Sequence, residues 1–287
     1  MLREKLKRNK FLHHAYSVLT GRTALFIDYP FFPRERWGHG NPNPHLLGLI
    51  DARRDVYRRF LQGLLGHKDL FAAIPARNTL PEGPRWDNGW LPALDAMALV
   101  GHMAAARPAL YLEIGSGHST RFANHARKAL GLSTRIVSID PHPRVGIDAL
   151  CDELVRKPLE DADLSLFGRL EPGDILFFDG SHRSFMNTDV TVFFLEILPM
   201  LRPGVHVQIH DMFLPYDYPQ KWAGRHYNEE YLLAALLLGG GGGYVTALPN
   251  AYVHRDPELS AILDPVWQVI GPAFKERTPG SYWLTRL

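Results

Sequence analysis

Four short apolar segments, each running into a polar cluster, constrain this chain more than any other feature: Ala109 to Ile114, Arg135 to Ile139, Asp174 to Phe178 and Val205 to Ile209. Their length and near-continuous apolar character are those of strands covered on both faces. Helical stretches separate most of them, Ser119 to Leu130 and Asp189 to Leu201 being clearest. Such alternation winds into a mostly parallel α/β sheet with right-handed crossovers. An amphipathic helix, Leu94 to Ala106, precedes the first segment and stops before Pro108. Beyond the fourth come a helix (Glu229 to Leu238), a five-glycine run (Gly239 to Gly243) and two further strands, Tyr244 to Leu248 and Ser281 to Arg286. The glycine run reads as a flexible connector, because no Lys, Ser or Thr follows it as a phosphate-binding loop requires.

Residues 1–90 have another texture, helices and proline-rich loops. The 287 residues therefore divide into a helical, loop-rich N-terminal cap over 1–90 and an α/β domain over 91–287. Asp51 to Gly66 is the clearest cap helix, with Val56, Tyr57, Phe60, Leu61, Leu64 and Leu65 at helical spacing, Asp51 as N-cap and Gly66 as C-cap. A loop from Pro81 to Pro92 carries Trp86, Asn88 and Trp90, which either line a pocket or pack the loop down. The net charge of +2 and the lack of a continuous basic stripe argue against nucleic acid as a partner. No run of about 18 apolar residues is present to span a bilayer. Behind the basic Met1 to Lys10 only Phe11 and Leu12 precede His13, too little for a signal peptide. The single Cys151 leaves no intramolecular disulfide or cysteine-based zinc cluster and fits a reducing compartment. The expectation is a soluble, cytoplasmic, globular protein without membrane or nucleic-acid partners.

In an open parallel sheet, ligands sit outside the carboxyl ends of the strands, at the point where strand order switches. The first strand ends in Glu113-Ile114-Gly115-Ser116-Gly117-His118-Ser119-Thr120. Gly115 and Gly117 permit a tight turn close to a ligand, and Ser119 can cap the next helix, whose free N–H groups favour an anionic group. The second strand ends in Asp140, 25 residues after Gly115, the spacing at which an acidic residue grips both hydroxyls of a ribose. Together these point to a nucleoside site. Where a dinucleotide fingerprint has its third glycine, this chain has Thr120, which counts against NAD. The Glu113 carboxylate would repel a pyrophosphate and suit a ligand carrying an amino group.

Segment 109–120 with Ser138-Ile139-Asp140-Pro141-His142-Pro143 resembles the class I S-adenosylmethionine-dependent methyltransferases. Phe178-Asp179-Gly180-Ser181-His182, Leu198-Pro199-Met200-Leu201-Arg202-Pro203-Gly204 and Ile209-His210-Asp211 look like the "methyltransferase domain 24" subgroup, related to macrolide-sugar and catechol O-methyltransferases. The resemblance covers about residues 85–250. It implies a Rossmann-like, seven-stranded methyltransferase sheet, mostly parallel with the last strand inserted antiparallel, beneath the N-terminal helical cap. It further implies S-adenosylmethionine as cofactor. Gly115, Ser116 and Gly117 would wrap its methionine part, with Ser119 at the helix start and Glu113 near the amino group. Asp140 would hold the ribose, Glu160 and Asp161 would lie near the adenine, and Asp179 would stand beside the reacting methyl group.

The sugar and catechol relatives hold a divalent metal at aspartates ending the fourth and fifth strands. The corresponding residues here are Asp179, His210 and Asp211, with His182 three positions beyond Asp179. A hard cation would lower the pKa of an acceptor hydroxyl. A donor set with histidines suits iron, manganese or zinc better than magnesium. Without a metal, Asp179, His182 and His210 carry the catalysis, a histidine serving as general base. The leading expectation is thus methylation of an oxygen on a small-molecule acceptor, with or without Mg, Mn or Fe. An NAD(P)-dependent oxidoreductase and an iron-dependent hydroxylase-like enzyme on the same sheet are the alternatives, with a non-catalytic binding protein behind them. Tyr216, Tyr218 and Trp222 either form a lid over the site or pack their loop. The cap either shapes the acceptor pocket or mediates a homodimer.

Overall fold

The computed structural model describes residues 19, 27–77 and 82–287. The basic stretch 1–10, His13, His14 and Pro81 lie outside them. The chain forms two units, Met1–Arg34 and Glu35–Leu287. In the first, residues 27–34 follow an irregular path on which Tyr29 and Phe31 meet edge to face, ring centroids 6.3 Å apart.

The second unit is built on strands β1 (Leu110–Ile114), β2 (Arg135–Ile139), β3 (Glu153–Val155), β4 (Ile175–Phe178), β5 (His206–Ile209), β6 (Tyr244–Pro249) and β7 (Tyr282–Arg286). They form one seven-stranded sheet in the order β3-β2-β1-β4-β5-β7-β6. Strands β1 to β5 are parallel, and β7 inserts antiparallel between β5 and β6. This is the Rossmann-like methyltransferase sheet that the resemblance implies. The order reverses at β1, whose neighbours are β2 on one side and β4 on the other, so a crevice opens there at the carboxyl edge. Because β7 starts at that same edge, with Tyr282 opposite Ile209, the segment leading into it reaches the crevice as well.

The helix Ala93–Ala106 is buried at every residue from Ala93 to Met103, which is why its sequence is apolar nearly all round. It packs beside the helix His118–Ala129. Helices Pro44–Asp51 and Arg54–Leu64 belong to this unit too. Arg53 donates from Nε to the Thr246 carbonyl of β6 at 2.7 Å, and Arg54 pairs with Asp256 through both its terminal nitrogens. Asp51 closes the first of these two helices instead of capping the second, whose N-terminal flank is Arg53. The proline of the first helix explains this: Pro44 occupies a first-turn position and Asn43 caps it, accepting from the N–H groups of His45 and Leu46. The glycine run is an ordered turn, not an open connector. Gly240 to Gly243 all have positive φ, and the Arg286 guanidinium packs where a Gly243 side chain would stand. Among the described residues no helix is long and apolar enough to cross a membrane.

Candidate active site

The turn after β1 presses its backbone against the end of β4. Gly115 has φ +78°, and a Cβ there would stand 1.9 Å from the Asp179 carbonyl oxygen. Asp140 fixes the turn from the β2 side, one carboxylate oxygen accepting from Ser116 N–H and the other from His142 N–H, both at 2.7 Å. Thr120 closes the turn from inside. Its hydroxyl oxygen accepts from Gly117 N–H at 3.0 Å and donates to Glu113, which also accepts from the Tyr111 hydroxyl at 2.9 Å. So the residue that replaces a third glycine is the fastener of the turn. The helix begins at His118 with Gly117 as its N-cap, and Ser119 therefore sits inside the first turn, near Glu113, instead of capping.

Glu113 is fully buried under this turn and is not among the residues lining either cavity described below. Burial pushes its pKa up to about 7, against the opposing pull of the Ser119, Thr120 and Tyr111 hydroxyls. Such a raised acid makes no difference while both folded and unfolded chains are protonated. Stability falls as pH rises from the unfolded value toward 7, where the unfolded chain ionises first, and the loss is complete above 7. Wild type is expected to lose about 1–3 kcal/mol more than Glu113→Gln between pH 5 and 8. Urea unfolding of both proteins across that range checks it, and parallel profiles would refute the assignment.

Four side chains converge at the ends of β4 and β5. His182 Nε2 lies 3.3 Å from Asp179 Oδ1 and 3.4 Å from Asp211 Oδ2. His210 Nδ1 lies 3.6 Å from Asp179 Oδ1 and 3.4 Å from Asp211 Oδ1. Both His182 and Asp211 are held in the left-handed backbone region, φ +62° and +59°, a conformation that costs an ordinary residue and turns both side chains inward. Two further carboxylates support the imidazoles from behind. Glu229, fully buried, meets His182 Nδ1 at 2.7 Å. Asp95, equally buried, accepts from Asn250 Nδ2 and from the N–H groups of Gly280 and Ser281 at 2.7–3.0 Å, and stands 3.6 Å from His210 Nε2. Burial alone would lower the pKa of both histidines, yet Glu229 and Asp179 raise that of His182, and Asp211 and Asp179 that of His210, well above the ordinary value. Burial likewise works to raise Asp179, but His210 and His182 hold it far below the usual carboxylate range. For Asp211 burial prevails over the histidines and the pKa goes up. Among the described residues no group of three or more His, Cys, Asp or Glu side chains stands ready to hold a metal ion.

Two cavities open at the carboxyl edge. The smaller, about 390 Å³, is lined by Asp140, Leu159, Glu160 and the Gly115–Ser116 turn; Asp161, in the same short 3₁₀ turn as Glu160, is not on its wall. The larger, about 480 Å³, holds Ser119, His182, His210 and Asp211, with aromatic walls from Trp90, Phe177, Phe213, Trp222 and Tyr227. Gly115, Ser116, Arg144 and Asp179 line both. Trp90 thus faces the larger cavity, whereas Trp86 of the same loop is buried in the core. Asn88 ties that loop together, accepting from the N–H groups of Trp90 and Leu91. Tyr216 and Tyr218 are buried packing residues, and only Trp222 of that trio reaches the cavity.

Asp95 and Glu229 were not foreseeable from strand-end motifs, because each lies in the first turn of a helix, where an acid ordinarily answers the helix dipole. The one signal was an acid at position 95 in a helix otherwise apolar around its circumference.

Residues 112–212, about a third of the chain, match the family described as Methyltransferase domain. No curated protein matches the chain. Among solved structures, the O-methyltransferase TomG from Streptomyces achromogenes, involved in tomaymycin synthesis and in complex with SAM, is 17% identical, with 69% of this chain and 81% of that one covered and a TM-score of 0.42. The SAH-bound Podospora anserina methyltransferase PaMTH1 is 14% identical, with 92% and 100% covered and a TM-score of 0.35. The plantazolicin methyltransferase BpumL in complex with SAH is 10% identical, with 83% and 99% covered and a TM-score of 0.40.

Proposed function

We propose that this chain, which carries a class I S-adenosylmethionine-dependent methyltransferase domain, methylates an oxygen of a small-molecule acceptor. One observation carries the reading: two cavities meet at Gly115, Ser116, Arg144 and Asp179, and the second ends in an acid–histidine cluster. A ligand lying along the glycine turn and Asp140 would therefore direct its far end into the chamber of His182, His210 and Asp211. The residues present fit the cofactor. Gly115 offers a backbone edge with no room for a side chain, and Asp140 keeps acceptor capacity beyond its two N–H bonds, since a carboxylate has about four lone-pair sites.

When bound, S-adenosylmethionine supplies an already activated methyl group, so the protein must align the acceptor and remove its proton. Asp140 would take the ribose hydroxyls and Glu160 the adenine edge. Gly115, Ser116, Gly117 and Ser119 would face the methionine part, and Glu113 would hold their turn in shape from beneath. Asp211 is suited to accept the acceptor's hydroxyl proton, with its pKa raised by burial and His210 at 3.4 Å to balance the charge. Glu229 keeps the His182 imidazole oriented through its bond to Nδ1, and Asp95 stands 3.6 Å from His210 Nε2.

A divalent cation in the same cluster is a second reading, and His210 favours it. Both of its ring nitrogens are buried without a hydrogen-bond partner. Asp179 and Asp211 approach the two imidazoles at 3.3–3.6 Å, longer than a good hydrogen bond and close to the spacing of two donors sharing an ion at about 2.1 Å each. Asp179, His210 and Asp211, with His182, would then be the ligands.

Isothermal calorimetry with S-adenosylhomocysteine, with NADH as control and repeated after adding manganese or magnesium, tests both readings. Binding of the homocysteine product and not of NADH is expected; no binding in any condition would sink the methyltransferase reading. Metal-free protein by elemental analysis, unresponsive to added cations, would remove the cation reading and leave the first intact. If a cation does bind, Asp179→Asn with Asp211→Asn is expected to abolish it.

A further inference from the structure

The larger cavity holds more positive charge than the protein satisfies. Arg144, Lys221, Arg225, Arg255 and Arg277 line it, against Asp179, Asp211 and Glu276. Two of those three acids are already matched by His182 and His210. None of the five cations has a carboxylate partner among the described residues. Elsewhere in the chain Arg54, Arg58, Arg127, Arg156, Arg169 and Arg202 are ion-paired, and Arg53, Arg183 and Arg286 donate to backbone carbonyls. The chamber differs in gathering five cations without a carboxylate partner among the described residues around one cavity.

Arg255 is the sharpest case. It is half-buried, its guanidinium lies over the Tyr216 ring at 4.2 Å, and its Nη1 is buried with no hydrogen-bond partner. A buried cationic donor left unpaired is costly, whereas a planar guanidinium matches an oxyanion with two parallel bonds. Topology separates this group from the cofactor. Arg144 lines both cavities and is within reach of a carboxylate on the ligand along the glycine turn. Arg255 follows β6 and Arg277 precedes β7, and both strands lie beyond β5, on the far side of the sheet from β1 and β2. The same cavity is lined by the aromatic side chains of Trp90, Phe177, Phe213, Trp222 and Tyr227. Arg225 already covers Trp222, its guanidinium carbon 3.8 Å from the ring centroid.

We propose that the acceptor is an aromatic anion: a ring bearing the hydroxyl to be methylated and a carboxylate or phosphate that Arg255 receives, with Arg277 lining the same cavity. The proposal rests on the methyltransferase reading above, whose site it shares. In the transfer the hydroxyl oxygen would bond the methyl carbon as that carbon's bond to the sulfonium sulfur breaks, the electron pair staying on sulfur so that neutral S-adenosylhomocysteine leaves. The hydroxyl proton would pass to Asp211, and the anionic group would take no part beyond fixing which way the ring enters.

The test is calorimetry on the full chain, with and without S-adenosylhomocysteine, using 4-hydroxybenzoate, phenyl phosphate and the neutral 4-hydroxybenzamide. At least one anionic probe is expected to bind about tenfold or more tightly than the amide, and the tighter of the two identifies the anion. Arg255→Gln is expected to lose that preference while holding S-adenosylhomocysteine as wild type does. Arg255→Lys, which keeps the charge without the fork, is expected to retain part of it. Equal binding of acid and amide, binding of none of the three, or a preference that survives Arg255→Gln would each overturn the proposal. An anion preference in a protein that never binds S-adenosylhomocysteine would instead sink the methyltransferase reading and leave the anion site standing.

Discussion

Gly115→Ala is expected to lower stability by about 2–5 kcal/mol, combining left-handed backbone strain with overpacking, and to weaken S-adenosylhomocysteine binding by two orders of magnitude or more. The added Cβ would meet the Asp179 carbonyl oxygen at 1.9 Å, and neither partner can step aside. The neighbour is backbone, held by the Asp179 N–H bond to the Ile114 carbonyl at 2.9 Å, and β5 is tied to the preceding residue through His210 N–H and the Phe178 carbonyl. The end of β4 must therefore separate from the turn, and Asp179 moves with it. With roughly 2–4 °C of melting temperature per kcal/mol in a domain of this size, a fall of about 5–15 °C is expected in thermal unfolding. Gly117→Ala is the control, since a Cβ there meets only Val145 Cγ2, at 3.9 Å. A Gly115→Ala protein that melts with wild type and binds normally would refute the close approach on which the site is built.

Where local chemistry decided the structure, the sequence was readable. Strand Arg135–Ile139 and helix Glu229–Leu238 have the bounds their apolar patterns predict. Asp179, His182, His210 and Asp211 were grouped through the family resemblance, and they meet because the two segments that carry them end neighbouring strands of a parallel sheet. Position in sequence alone misled in three places. Asp51 looked like the cap that starts a helix where it ends one, Ser119 looked like a cap where it lies one residue inside the helix, and the glycine run looked loose where Arg286 needs its space. The supporting carboxylates Asp95 and Glu229 were out of reach for a different reason. Each acts on a histidine delivered by a distant strand end, and the pairing exists only once the sheet is assembled. Arg255 was invisible in the same way, since an arginine ending a helix has an ordinary local reason to be there.

Asp140→Ala is expected to weaken S-adenosylhomocysteine binding by about 100-fold or more, because two hydrogen bonds from ribose hydroxyls to a charged acceptor are each worth roughly 1.5–3 kcal/mol. The same carboxylate already accepts from Ser116 N–H and His142 N–H, so part of the loss would come from a turn no longer held in place. Asp140→Asn separates the two contributions. It keeps an acceptor for one of the two turn N–H groups and faces the other with a donor, so affinity should fall nearly as far as in Asp140→Ala while stability falls no further than in that variant. The unliganded melting temperature of Asp140→Ala should drop by only a few degrees, because Asp140 is half-exposed and water can replace it at both N–H groups. Calorimetry and thermal unfolding on the three proteins read these outcomes directly. Affinity unchanged in both variants would remove Asp140 from the ribose and, with it, the direction in which the cofactor was laid along the turn. A large stability loss with affinity restored at low temperature would make Asp140 a fastener of the turn and nothing more.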